Sequence, residues 1–99
     1  MNEGNYSDAY MFPMVYKTLN IGKLVGMPVA GTGTAVWWET LQDPQLVFGI
    51  PEVGIKTLDG KYYENYQIEP DYKVPTDYIK NMSGQDPQLE KSVQVLMGK

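Results

Sequence analysis

The sequence predicts a single small α/β domain that spans residues 1–99. The chain has only 99 residues and 42% of them are apolar, which suits one hydrophobic core and not two. Helical periodicity occurs at the two ends, whereas aromatic and β-branched residues concentrate in the middle. We therefore expect an N-terminal helix, a small mixed or antiparallel sheet with a hairpin, and a C-terminal helix.

The first predicted helix begins at Ser7, because serine is a favoured residue at helix N-termini. Pro13 lies past the first turn, so we expect a kink or an early stop there. Gly22 is the predicted terminator. The residues expected on the buried face, from their helical spacing, are Ala9, Phe12, Tyr16 and Leu19.

Short strands are predicted to follow. After a glycine-bordered apolar run at 23–26 and a loop of small residues at 30–34, residues 35–40 have the composition of a strand. Adjacent residues on a strand point to opposite faces. We therefore expect one of Trp37 and Trp38 in the core and the other exposed.

Two further apolar runs, 46–50 and 53–57, flank Pro51 and predict two more short strands. Asp59-Gly60 predicts a tight turn and so the hairpin.

The last third is predicted to form a loop and then a helix. Residues 66–83 contain two prolines and little periodicity, which indicates an extended loop. Asp86-Pro87 then supplies a cap and a proline in the first helical position. The apolar residues at helical spacing behind them are Leu89, Val93 and Leu96.

Composition excludes several functions. The net charge is −4, and all 8 basic residues are lysines, so no basic, arginine-bearing face is available for nucleic acid or an anionic membrane. The chain has 0 Cys and 0 His, which excludes disulfides, Cys/His zinc sites and a histidine base from this chain. We expect no cofactor, no metal and no membrane insertion. No targeting signal is readable, so no compartment is assigned.

The sequence around Ser7 has two interpretations. It follows a glycine-bearing segment and opens a helix, where a serine hydroxyl and the Asp8 backbone N–H can act as nucleophile and oxyanion donor. The simpler reading, and the one that local sequence favours, is an N-cap.

A family resemblance changes that balance. Residues 2–9, Asn-Glu-Gly-Asn-Tyr-Ser-Asp-Ala, followed by a helix and by Gly-Lys-Leu-Val-Gly at 22–26, resemble the nucleophile segment of the tail-specific, or C-terminal processing, serine protease family. Residues 64–71 resemble the segment before that family's Pro-Asp signature, and 86–90 its closing helix. The resemblance implies part of a crotonase-like protease core.

The resemblance also separates two catalytic styles. In the Ser/Lys branch a lysine stands where this chain has Thr32, so the sequence is more similar to the tricorn-like branch. That branch implies Ser7 as nucleophile, the Asp8 N–H as one oxyanion donor and Glu64 as the group that orients the rest of the relay. Gly31, Thr32 and Gly33 would border the substrate cleft; without the resemblance they are more simply a tight turn.

The family's histidine base, its partner serine and its second oxyanion donor lie upstream of the nucleophile. We therefore expect this chain to correspond to the C-terminal part of a protease catalytic domain, and to be inert or nearly so alone. Its expected partners are a peptide or protein substrate and either further copies of itself or the upstream part, because an unpaired sheet edge favours association.

Two alternatives stay open. The chain can instead be a non-catalytic peptide-binding or assembly module on a protease-like scaffold, using its aromatic strand and exposed edge. Glu64, Glu69 and Asp71 suggest a metal cluster, although an acidic loop in solvent is the simpler interpretation.

Overall fold

Three helices and two small two-stranded sheets make up the fold in a computed structural model that describes residues 1–98. The elements, in chain order, are α1 (Asp8–Thr18), β1 (Val25–Gly26), β2 (Thr34–Thr40), β3 (Val47–Gly54), β4 (Tyr72–Lys73), α2 (Tyr78–Met82) and α3 (Pro87–Leu96). The architecture is thus a mixed α/β one, as expected. No helix within residues 1–98 is long and apolar enough to cross a membrane.

Helix α1 continues through Pro13 to Thr18, so the expected early stop does not occur. Proline cannot donate to the carbonyl four residues earlier, which is that of Ala9. The Asn5 side chain supplies the missing donor, with Nδ2 lying 3.0 Å from the Ala9 carbonyl oxygen. The helix ends at Thr18, and Asn20, with φ 51°, takes the left-handed position expected for Gly22.

The buried face of α1 also differs from the expected one. Tyr10, Pro13 and Met14 are buried, whereas Phe12 is 71% exposed and Leu19 64% exposed. Tyr16, the tyrosine of the predicted stripe, is only half-buried and packs against the edge of the core, and Ala9 is exposed. Tyr10 is the deeply buried tyrosine, because its hydroxyl has two backbone carbonyl partners there.

The first sheet has one buried and one exposed strand, since both residues of β1 are buried and both residues of β4 are exposed. Strands β1 and β4 pair in parallel. Met1 extends this sheet, since its ammonium donates to the Val25 carbonyl and its own carbonyl accepts from the Met27 N–H, as in a parallel ladder. The predicted loop at 66–83 therefore contains a strand and the short helix α2, and this part of the prediction is wrong.

The second sheet is an antiparallel hairpin of β2 and β3. β3 runs unbroken through Pro51, so the two predicted strands are largely one. The register shift between Ala35 and Val36 accommodates the proline opposite. The connecting turn lies at 41–46, and Asp59-Gly60 instead forms a smaller turn beside the isolated Lys56–Tyr62 bridge.

Both tryptophans of the hairpin are exposed, Trp37 by 52% and Trp38 by 70%, so neither joins the core. The hairpin stands clear of the core on both faces, which is why the expected division into one buried and one exposed ring fails. The C-terminal helix is confirmed: the Asp86 side chain accepts from the N–H groups of Gln88 and Leu89, and proline follows the cap.

Tyr10 is the centre of the core. Its side chain is fully buried, and its hydroxyl lies 3.0 Å from the Tyr63 carbonyl oxygen and 2.8 Å from that of Tyr66. The pKa of Tyr10 is raised to about 12, mainly because the side chain is buried away from water and secondly because of electrostatic repulsion from Tyr63 and Glu64. The residues packed around it are Met14, Leu24, Val29, Tyr63 and Ile68.

Tyr10→Phe is expected to lower the free energy of unfolding by about 1–3 kcal/mol at neutral pH, because two carbonyls lose their donor. The pKa of Tyr10 is raised in the folded state. The stability that its protonated hydroxyl contributes is therefore fully present below pH 10.0 and is lost as the pH rises to about 12. The gap between wild type and variant should therefore shrink across that interval. Urea unfolding at each pH measures it.

The matched control is Tyr78→Phe, because Tyr78 is 69% exposed. This control should follow the wild type at every pH. A Tyr10→Phe variant as stable as the wild type at neutral pH would contradict the assigned role.

Candidate active site

Ser7 occupies the N-cap position of α1 in a conformation that ordinary caps do not adopt. Its φ is 54° and its ψ is −120°, whereas a capping serine is usually extended, and its side chain makes no capping hydrogen bond. Such a conformation costs about 1–3 kcal/mol in a non-glycine residue and occurs preferentially at functional sites. Capping is therefore not the role of this hydroxyl.

Asp8 is the first residue of α1, so no carbonyl one turn earlier in the helix accepts its N–H. Ser7 and Asp8 are both exposed. The positive end of the helix dipole favours negative charge at this place. The start of α1 thus combines an uncapped hydroxyl with an adjacent N–H donor.

Ser7 opens onto a cleft of about 620 Å³ that also contains Thr32 and Glu64. The remaining lining residues come mainly from the hairpin and are Tyr6, Thr34, Ala35, Val36, Trp38 and Gly49. Three of the residues singled out from the sequence, which come from three separate segments, therefore meet in one cleft.

Gly31 and Gly33 lie on either side of Thr32 and pack against the backbone of residues 63–66, but of these three residues only Thr32 is among the described residues that line the cleft. A Cβ on Gly33 would lie 2.7 Å from the Glu64 nitrogen, and one on Gly31 would lie 2.7 Å from the Asn65 carbonyl carbon. Real Cβ atoms do not approach backbone so closely. Only glycine on both sides of Thr32 permits this contact, which carries Thr32 and Glu64 into the same cleft.

Glu64 is half-buried, and its Oε2 is fully buried with no hydrogen-bond partner in residues 1–98. Buried carboxylate oxygens normally have a partner, because losing water without a replacement is costly. Glu64 therefore brings an unused acceptor to the cleft that contains Ser7.

The other two acidic residues of the predicted cluster lie elsewhere. Asp71 Oδ2 accepts from the Leu24 N–H at 2.9 Å, and Lys23 Nζ pairs with Asp71 Oδ1 at 3.1 Å. The Leu24 hydrogen bond is the main reason why the pKa of Asp71 lies below its ordinary value. Glu69 lines a separate, smaller cavity. Among the residues that the structure describes, no group of three acidic side chains is placed to hold a metal.

Two contacts of the site were missed by sequence reasoning. The Ser7 N–H donates to Thr32 Oγ1 at 3.0 Å, across 25 residues of chain. Tyr10, one turn after Ser7, holds both ends of the turn that carries Glu64. Tyr10 shares α1 with a second tyrosine, Tyr16, so residue type alone does not single it out. Nothing in the sequence indicated the Thr32 contact.

Comparisons with known proteins show the family to which this chain belongs. The model of Peptidase family S41 matches residues 1–74. Tricorn protease from Thermoplasma acidophilum is 30% identical over 97% of this chain, which corresponds to 9% of the relative's length. The crystal structure of the tricorn protease superposes with a TM-score of 0.83 at 27% identity, over 97% of this chain and 10% of that one.

The chain thus spans about a tenth of the relatives that it matches. The family match covers the Ser7 turn, the glycine loop and Glu64, which are the segments that form the cleft. This chain therefore belongs to peptidase family S41, as a tricorn-like region of that family.

Proposed function

We propose that this chain carries the nucleophile of a serine endopeptidase, and that Ser7 forms the acyl-enzyme. The observation that carries the proposal is the strained backbone of Ser7 at the start of α1, with its hydroxyl free of capping duty. Membership of peptidase family S41 and the presence of Glu64 in the same cleft support it.

In the proposed reaction a base removes the Ser7 proton as Oγ bonds to the scissile carbonyl carbon, and the carbonyl oxygen becomes an oxyanion. The Asp8 N–H donates to that oxyanion, and the α1 dipole stabilises its charge. The base then protonates the leaving amine as the C–N bond breaks. Water then attacks the resulting ester while the base accepts its proton, and the base returns the proton to Ser7 Oγ as the ester bond breaks.

The base is proposed to come from outside this chain. The sequence contains 0 His, and no lysine is among the described residues that line the cleft. Thr32 stands where the Ser/Lys branch has its lysine, and a threonine hydroxyl is too weak a base for this step. We therefore assign the base to a histidine of the upstream part of the protease, with Glu64 as the carboxylate that orients its relay.

In the full-length protein that carries this chain, Ser7→Ala is expected to lower kcat/KM for peptide hydrolysis by at least about 1000-fold. A fluorophosphonate probe should label the wild type at Ser7, as located by peptide mass mapping. The 99-residue chain alone should react with neither substrate nor probe at an enzyme-like rate.

Ser83→Ala is the matched control, because Ser83 is exposed at the end of α2, outside the cleft. It should keep wild-type turnover. Full activity of Ser7→Ala, or labelling at another residue, would sink the proposal.

Glu64→Gln keeps the shape of the side chain but removes its charge. We expect kcat to fall roughly 100-fold, because the base loses its orienting carboxylate, while KM changes little. Steady-state kinetics of the full-length protein measure both constants. Glu52→Gln, on an exposed position of β3, is the control, and turnover equal in the two variants would argue against the role of Glu64.

A second candidate, the non-catalytic peptide-binding or assembly module, is favoured by one observation. The hairpin of β2 and β3 exposes Trp37, Phe48 and Ile50 on a single face, opposite to the face that lines the cleft. An isolated two-stranded ribbon is marginally stable in water, so contact with another surface would stabilise it. Retained peptide binding without turnover, in both wild type and Ser7→Ala, would support this candidate over the peptidase.

Either function is compatible with association through the hairpin, whether with another copy or with the upstream part. Trp37→Lys is expected to raise the monomer fraction of the 99-residue chain at micromolar concentration, because the introduced charge opposes burial of that face. Analytical ultracentrifugation measures this fraction. Leu58→Lys is the control, at a position that is 98% exposed on a separate turn. A wild-type chain that is already monomeric would contradict the expectation.

A further inference from the structure

The backbone of Ser7 needs an external support. Its positive φ is unfavourable for any residue with a Cβ, and such a conformation persists only where neighbouring contacts hold it. The helix that begins at Asp8 supplies a partial support, because the Ser7 carbonyl accepts from the N–H groups of Tyr10 and Met11. The Ser7 N–H takes no part in that helix.

Thr32 supplies the contact on the other side of the Ser7 Cα, at the Ser7 N–H. Its Oγ1 accepts the Ser7 N–H at 3.0 Å, and it is the side chain that joins the glycine loop to the start of α1. The position of this acceptor is well defined. Gly31 and Gly33 fix the backbone on both sides against residues 63–66, and a β-branched side chain has few χ1 choices.

We propose that Thr32 is a positioning residue for the nucleophile: its hydroxyl oxygen holds the Ser7 backbone in the conformation that presents Ser7 Oγ to the cleft. The catalytic consequence rests on the proposed function of Ser7, whereas the structural consequence does not. Thr32 thus stands where the Ser/Lys branch has its lysine base, but it does not act as a base. It acts on the backbone of Ser7, the residue whose hydroxyl a base would deprotonate.

The proposal explains why a hydroxyl, and not only a small side chain, stands between the two glycines. Valine would fill the same volume but cannot accept a hydrogen bond, so the Ser7 N–H would lose its partner. Serine would keep the acceptor and lose only a methyl group. The two substitutions therefore separate the hydrogen bond from the packing.

The test compares Thr32→Val and Thr32→Ser in the full-length protein, by crystal structure and by peptide hydrolysis. Thr32→Val should displace Ser7 from its φ near 54° and lower kcat by about 10- to 100-fold, with KM changed far less. Thr32→Ser should restore both the conformation and the rate. Thr40→Val, which changes an exposed threonine at the end of β2 that is not among the described residues lining the cleft, is the control and should resemble the wild type.

A Thr32→Val structure with the Ser7 backbone unchanged would overturn the proposal, whatever the activity. A displaced Ser7 with rescue by serine would support it even if the wild type proves not to hydrolyse peptides, so failure of the proposed function and failure of this inference are distinguishable. Equal loss in Thr32→Val and Thr32→Ser would also overturn it, because packing and not the hydrogen bond would then be responsible.

Discussion

The close approach of two backbone segments, residues 31–33 and residues 63–66, is the constraint on which the site depends. Side chains at Gly31 or Gly33 would separate these segments, because their Cβ atoms would overlap the chain opposite. With glycine at both positions, Thr32 and Glu64 reach one cleft from segments more than 30 residues apart. The Asn65 N–H donates to the Gly31 carbonyl and closes the contact.

The turn at Ser7 is attached to this pair of segments at two points. Thr32 accepts the N–H of Ser7, and the hydroxyl of Tyr10 reaches the carbonyls of Tyr63 and Tyr66 on either side of Glu64. Helix α1 therefore has a defined position relative to both other parts of the site. The conformational cost at Ser7, about 1–3 kcal/mol, is offset by contacts that also order the cleft.

Several elements of the fold were predictable from the sequence, and the predictions that were wrong have physical causes. The cap at Asp86-Pro87 predicted α3 because its signals are local, and the composition of residues 35–40 predicted most of β2. The strand at Tyr72–Lys73 was missed because two residues carry no periodicity and pair only through tertiary contact with β1. The prediction that α1 stops early at Pro13 was wrong because the donor that compensates for the proline, the Asn5 side chain, lies outside the helix.

The site residues, like the fold, were predicted from the sequence only in part. Family resemblance pointed to Ser7, Asp8 and Glu64 before any geometry was known, because motifs of contiguous residues are visible in one sequence. Contacts between distant segments, such as Thr32 with Ser7, are not. Exposure of both tryptophans likewise depends on how far the hairpin stands from the core, which alternation along one strand does not determine.

We propose above that Ser7 and Glu64 are two parts of one catalytic site that another segment of the protease completes. The distance from Glu64 Oε2 to its nearest hydrogen-bond donor, in a crystal structure of the full-length protein, tests this directly. We expect a donor from the upstream part of that protein within about 2.5–3.2 Å. An Oε2 that remains buried without a protein partner, or a Glu64 side chain turned out of the cleft, would contradict it.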